Sequence, residues 1–250
     1  MLLIERNGDV LRLTLNRPDK RNALHPDLLN IFSIEINQAA LDDSLAALVI
    51  TGTGSSFCAG LDLQHLLSLD AAGKTAYMRQ LFDVFQALHA LPQPIIAAIN
   101  GPAMAGGFDL AAFCDLRLCV PTARFAQTEI LLGLTQIMFP LYHSIGWTRA
   151  KELALTGEAI SAEEAHRIGF INHIYPAEQL LDEALQLAAK LAARPRQTLF
   201  ATKRLSRELL DANTTTAFDR MFAVIRESLH GTEHQQKVAE YVAGLKQRNG

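Results

Sequence analysis

PIIAAINGPAMAGGFDLAAFCDLRL, residues 94–118, decides the fold. IIAAIN is a continuous apolar run of the kind that forms a strand buried on both faces. After it Gly101-Pro102 breaks the run, Gly106-Gly107 lets the backbone turn, FDLAAF reads as a helix and LRLCV as the next strand. The same order of strand, glycine loop and helix recurs around residues 45–65, where LAALVIT runs into GTGSSFCAGLDL. That repetition predicts an α/β fold of stacked βα turns. Asp109 lies inside an otherwise apolar helix, where a carboxylate must be paired, capped or used.

Working outward, LLIE and VLRLTL flank Asn7-Gly8, a strong hairpin signal, so the chain opens on two antiparallel strands. Leu28, Ile31, Phe32 and Ile36 share one side of a helix. Met78, Leu81, Phe82, Phe85 and Leu88 do the same in a longer one that stops at Pro92 and Pro94. Beyond about Ser161 the strand signal fades apart from GFINHIY. Two helices then follow, one carrying Leu181, Leu185, Ala188 and Leu191, the other Phe218, Met221, Phe222, Ile225 and Leu229. An apolar face that broad on a terminal helix needs a partner surface. The expected organisation is a core over residues 1–195 and a helical region over 196–250.

A chain of 250 residues can bury a large core, and 49% hydrophobic with 20% charged residues is ordinary for a soluble globule. The formal net charge of −3 and the lack of any basic block leave no electrostatic footprint for nucleic acid or an anionic membrane surface. No apolar stretch is long enough to span a bilayer. Small molecules or proteins are therefore the expected partners, not nucleic acid or membrane. Cys58, Cys114 and Cys119 form no C-x-x-C pair and lie in apolar surroundings, so a reducing, cytoplasmic compartment is expected. Glu5 and Asp9 interrupt any signal-peptide apolar region. No metal site is expected either: His230 and His234 are one helical turn apart but lack the H-E-x-x-H order and a third ligand.

Two loops carry the candidate chemistry. The first-turn N–H groups of a helix have no partner within it and form its positive end, so Gly106 can present a donor to a ligand oxygen. In FCAGLDL, Ala59-Gly60 lets the backbone turn so that the Leu61 N–H faces the same spot. Two donors on one carbonyl oxygen make an oxyanion hole that stabilises an enolate; plain tight turns are the competing reading. Asp109, three residues past Gly106, is either a general acid/base or an acid that caps the helix. Glu129, in FAQTEILLG, is either a helix-start acid after Thr128 or a partly desolvated carboxyl with a raised pKa.

In order along the chain, LTLNRPDKRNAL (13–24), SFCAGLDL (56–63), the 94–118 stretch, ARFAQTEILLGL (123–134) and KELALTGEAISAEEAHRIGFINHI (151–174) resemble the crotonase superfamily, the enoyl-CoA hydratase/isomerase family. The resemblance implies a crotonase-like spiral of stacked ββα turns with a helical C-terminal trimerisation region that also helps close the pocket. It implies a homotrimer or dimer of trimers and an acyl-CoA thioester substrate, with coenzyme A part of the substrate and no separate cofactor. By motif position the oxyanion donors fall on Leu61 and Gly106, and the catalytic acids on Asp109 and Glu129. Lys20, Asn22, Ala23, Ala59, Asp62 and Leu63 fall near the bound CoA.

The departures bear on the reaction. The family's hydratases carry Glu at both acid positions, whereas the first is Asp109 here, one methylene shorter. After the second acid they continue with Pro and several Gly, where this chain has LTQIMFPLYHSIG (134–146), bulkier and more apolar. Asp followed by Glu also resembles dienoyl-CoA isomerases, which have a further Asp where Ile137 stands; the simpler enoyl-CoA isomerases work with the Glu alone. Hydration of a 2-enoyl-CoA is the expected activity and isomerisation with Glu129 as proton shuttle its alternative. Thioester hydrolysis is a more distant one. A non-catalytic acyl-CoA or RNA binder is the rival of another class, with the missing basic stripe against RNA.

Overall fold

The computed structural model describes residues 1–210, 212–232 and 234–238, except the side chains of residues 214, 215 and 230. β1 (Leu2–Asn7) and β2 (Val10–Leu15) form the expected antiparallel hairpin. α1 (Pro26–Leu41) starts on the side chain of His25, which accepts the Asp27 N–H, and buries Leu28, Leu29, Phe32 and Ile36. β3 (Ala47–Gly52) is followed by α2 (Leu63–Ser68) and α3 (Ala71–Ala90), and then by β4 (Ile95–Ile99). β5 (Ala103–Met104), α4 (Gly106–Ala112), β6 (Leu116–Cys119) and β7 (Arg124–Ala126) complete the central stretch. After a 3₁₀ turn over Thr128–Leu132 come α5 (Leu141–Ile145), α6 (Trp147–Thr156), β8 (Ile160–Ser161), α7 (Ala162–Arg167), β9 (His173–Ile174) and α8 (Ala177–Ala192).

The strands make two sheets. One runs β1-β2-β3-β4-β6-β9 and is parallel from β2 onward; the other is a short β5-β7-β8 sheet. Every residue of β4, and all of β3 but Gly52, is buried, which is why both strands read as unbroken apolar runs. The second sheet is what the reading as plain βα turns lacks. Two-residue strands such as β5 have no period to detect; β5 and the three-residue β7 add a second strand to the turns that follow β4 and β6. GFINHIY contributes only the two paired residues of β9.

The chain divides into two compact units, Met1–Ala189 and Lys190–Gly250. In the second, α9 (Arg196–Glu208) packs against α10 (Thr214–His230), and the Arg220 guanidinium donates to the Glu208 carbonyl. On α10, Phe218, Phe222, Ile225 and Leu229 are all exposed, so its apolar face meets solvent. Residues 239–250 of the expected C-terminal region, and the His230 side chain, lie outside the described residues. Among the described residues no helix is long and apolar enough to cross a membrane, and no three His, Cys, Asp or Glu cluster to hold a metal ion. The three cysteines are buried and form no disulfide.

Candidate active site

The loop after β3 and the start of α4 meet backbone to backbone. Gly60 sits at φ +87°, a conformation glycine adopts without steric cost. A Cβ there would lie 2.8 Å from Ala105 Cβ and 3.0 Å from the Gly106 nitrogen. A Cβ on Gly107 would lie 2.2 Å from the Cys58 carbonyl oxygen, so α4 packs directly on the main chain of the loop. Ala105 turns through φ 51°, its N–H bonded to the Ala126 carbonyl at 2.8 Å, so that α4 begins at Gly106. The Leu61 and Gly106 N–H groups are thereby brought close together, and neither has an acceptor among the described residues.

The segment around Leu61 is pinned on both sides. Leu24 N–H donates to the Gly60 carbonyl at 2.8 Å, and Asp62 N–H donates to the Tyr77 hydroxyl at 3.0 Å. Tyr77, buried on α3, in turn donates its hydroxyl hydrogen to the Leu24 carbonyl. The next turn carries the Asp62 side chain, which accepts the His65 N–H and so caps α2.

A cavity of about 520 Å³ lies against the residues that carry the two amides. Ala59, Leu61, Gly106, Glu129 and Gln136 line it, with an apolar wall that includes Met78, Phe82, Met138 and Phe139. A second cavity of about 810 Å³, walled mostly by leucines of α2 and by α3, shares Leu63, Met78, Phe82, Leu132 and Leu134 with the first. The apolar face of α3 that the sequence predicts thus splits: Leu81, Phe85 and Leu88 are buried, while Met78 and Phe82 line both cavities.

Asp109 stands on the first turn of α4, 2% exposed, and does not line the cavity. It does not cap the helix: α4 has no side-chain cap, because Asp109 Oδ1 instead accepts the Gln127 amide at 3.3 Å and Oδ2 has no partner. Burial pushes its carboxyl well above the ordinary value, and the charge of Glu129 pushes it further. The neighbouring Cys58 thiol is pushed up to about 12, chiefly by burial, and stays neutral. Glu129 sits in the 3₁₀ turn with Oε2 buried and unpartnered. Burial raises its pKa too, opposed by its own backbone N–H and by the Gln136 side chain. Two carboxyls so placed hold their protons at pH values where exposed acids have lost them.

Gln127 and Gln136 are not among the candidate site residues that the sequence marks. Gln127 Nε2 donates to the Ile137 carbonyl at 2.9 Å as well as to Asp109, and Gln136 Nε2 donates to the Gln127 carbonyl at 3.1 Å. The signal was available: uncharged amides two residues before and seven after a carboxylate, in apolar surroundings, must find partners there.

Of the residues expected near CoA, Ala59 and Leu63 line the cavity. Lys20, Asn22, Ala23 and Asp62 do not, and each has work elsewhere. Lys20 Nζ donates to Gln64 Oε1 at 3.0 Å on the surface. Asn22, fully buried, accepts the Arg17 N–H at 2.9 Å and donates to the carbonyls of Thr53 at 2.9 Å and Ser56 at 2.8 Å. Ala23 is buried and its carbonyl accepts from Arg17 at 2.7 Å. Asp62 pairs with Arg17 at 2.9 Å; burial raises its pKa, but the Arg17 and His65 donors outweigh this and leave it lowered.

A mostly parallel sheet and a second short sheet joined by glycine loops and helices, with the loop after β3 packed on the start of α4 beside a cavity, make this a protein of the crotonase fold. Residues 5–247 match the model of the enoyl-CoA hydratase/isomerase family. The chain is 38% identical over 213 residues to 2,3-dehydroadipyl-CoA hydratase of Escherichia coli K12, covering 83% of this chain and 82% of that protein. It is 32% identical over 224 residues to the short-chain-enoyl-CoA hydratase of Clostridium acetobutylicum, covering 87% and 86%. The crystal structure of enoyl-CoA hydratase from Mycobacterium smegmatis matches with a TM-score of 0.93 at 30% identity, over 97% of this chain and 96% of that one. The chain belongs to the enoyl-CoA hydratase/isomerase family.

Proposed function

We propose that this protein is an enoyl-CoA hydratase that adds water across the double bond of a 2-enoyl-CoA thioester. The observation that carries the reading is the pair of unpartnered N–H groups of Leu61 and Gly106 at a cavity that also holds Glu129. The thioester oxygen accepts both N–H bonds, and the negative charge that reaches it as the enolate forms is stabilised there. Water oxygen bonds to the β-carbon and a water proton passes to the Glu129 carboxylate. The α-carbon then takes a proton from the carboxyl pair and the thioester carbonyl is restored. Asp109, buried off the cavity wall, has its carboxyl held above the ordinary value by burial and by the charge of Glu129. Ala59 and Leu63 flank the thioester end of CoA; Asn22, Ala23 and Asp62 shape that region through Arg17 and the 52–62 loop, and Lys20 lies at its surface.

The names of the relatives support hydration, and the E. coli and Clostridium relatives are named for different acyl groups. CoA enters as part of the substrate and no further cofactor takes part. The exposed apolar face of α10 supports assembly into a trimer or dimer of trimers through residues 196–250, with residues 1–195 binding the acyl-CoA. Three buried cysteines without a disulfide fit a reducing cytoplasm.

One observation favours a second reading. Glu129 is the carboxylate on the cavity wall, Asp109 is not, and the wall is largely apolar, an arrangement suited to moving a double bond with Glu129 alone. Purified protein is given crotonyl-CoA and, separately, a 3-enoyl-CoA, with conjugation followed by absorbance. Loss of conjugation from crotonyl-CoA, falling about 10²- to 10⁴-fold in Glu129→Gln, is the expected result. Gain of conjugation from the 3-enoyl substrate without hydration overturns hydration in favour of isomerisation.

A further inference from the structure

We infer that Gln136 is a positioning residue for Glu129: tied to the Gln127 main chain, it closes the 128–135 loop and holds the Glu129 carboxyl toward the cavity. The inference rests on the reading of Glu129 as the group that exchanges protons with substrate.

The geometry is a reciprocal staple. Gln136 Nε2 donates to the Gln127 carbonyl at 3.1 Å, and Gln127 Nε2 donates to the Ile137 carbonyl at 2.9 Å. Residue 127 is thus joined to 136 and 137 by two bonds, and the segment between them contains Glu129. Gln136 lines the cavity with Glu129, and its Oε1 is buried without a partner. The staple replaces rigidity that the stretch cannot draw from regular structure: between the 3₁₀ turn and α5 it contains no helix or strand. It also lies in the 134–146 segment, where the sequence departs from the family's Pro- and Gly-containing pattern.

Electrostatics give the readout. The Gln136 side chain acts on Glu129 in the direction that favours its charged form, against burial. Asp109 on α4, whose own carboxyl Glu129 pushes up, faces the Cys58 thiol, which burial keeps neutral. α6, packed on the 3₁₀ turn, carries Arg149, Lys151 and Glu152, all exposed and none contributing to the Glu129 shift. Removing the Gln136 amide therefore moves Glu129 up, and a carboxylate in its place moves it up further. A base that must be ionised then loses activity from the acid side.

The test is the pH dependence of kcat and kcat/KM on crotonyl-CoA for the parent protein, Gln136→Leu and Gln136→Glu, with melting temperatures alongside. The expected result is a loss of about ten- to a hundredfold in kcat for Gln136→Leu, with KM nearly unchanged. The acid limb rises in the order parent, Gln136→Leu, Gln136→Glu. Should the leucine variant fail to fold, Gln136→Asn, one methylene shorter, is read the same way. Coincident acid limbs, or a loss carried by KM alone, overturn the inference. Glu129→Gln separates the two levels: if it retains parental turnover, the role of Glu129 fails and this inference with it. If it is inactive while the limbs coincide, only the role of Gln136 fails. If the protein isomerises 3-enoyl-CoA instead, the same profiles on that reaction decide the matter.

Discussion

Gly60→Ala probes the proposed oxyanion hole through a residue with no side chain to offer a substrate. At φ +87° an alanine is strained by about 1–2 kcal/mol. Its Cβ would also sit 2.8 Å from Ala105 Cβ and 3.0 Å from both Gly106 N and the Met104 carbonyl oxygen. These neighbours are main chain or a Cβ held by main chain, so relief means parting the two loops, at about 1–3 kcal/mol for overpacking of this kind. The total is roughly 2–5 kcal/mol, and with about 2–4 °C per kcal/mol at this chain length the melting point falls by roughly 5–20 °C. Parting the loops moves the Gly106 and Leu61 amides away from the thioester oxygen proposed to accept from both, and losing one such donor costs about 10²- to 10³-fold in kcat. Gly8→Ala supplies the control: φ is +58° with nothing within 4 Å of the added Cβ, so the strain is present without the collision, far from the cavity. Calorimetry and turnover of crotonyl-CoA on both variants are the measurements. A folded Gly60→Ala protein with parental kcat would refute the reasoning, because the donors could not then be where the loop contact puts them.

Two more predictions follow from buried polar groups. Asp109 has a raised folded pKa, so folding favours its protonated form, and its contribution to stability is lost as pH rises from its ordinary value of 3.8 toward the folded one. Asp109→Asn removes that loss, so denaturant unfolding at around pH 5 and around pH 8 should find the variant gaining on the parent at the higher pH; a pH-independent difference would refute the buried charge. Asn22→Ala orphans the Arg17 N–H and the Thr53 carbonyl, at about 1–3 kcal/mol for each left unsatisfied, and leaves the Ser56 carbonyl only its longer bond from the Asn100 amide. The loss should appear in melting temperature; a change in KM alone, with stability intact, would instead mean that Asn22 serves the ligand directly.

The strands β3 and β4 could be read from sequence because burial on both faces leaves a run of apolar residues with no polar interruption. The Asn7-Gly8 hairpin and α3 were legible for the same local reason, a turn signal in one and a repeating apolar side in the other. β5 and β8 were not. Two residues carry no periodicity, and these strands exist because distant segments, 103–104, 124–126 and 160–161, arrive side by side. Within the site, Gly60, Gly106 and Gly107 could be singled out since each lies where a strand must turn. Gln127 and Gln136 could not be paired with one another, because nothing local joins positions nine residues apart outside a helix or strand.

By itself, then, the sequence determined the stacked α/β turns, the two glycine loops and the pair of acids at 109 and 129, since these depend on local pattern and on motifs in order. Only the tertiary structure decided where those acids stand and what they bond. It put Asp109 behind the cavity rather than on its helix cap, set Glu129 on the wall, and turned Asn22 and Asp62 to binding their own loops. The physical reason is that desolvation, hydrogen-bond pairing and backbone contact depend on which segments meet in space, and the chain order of those segments does not encode that distance.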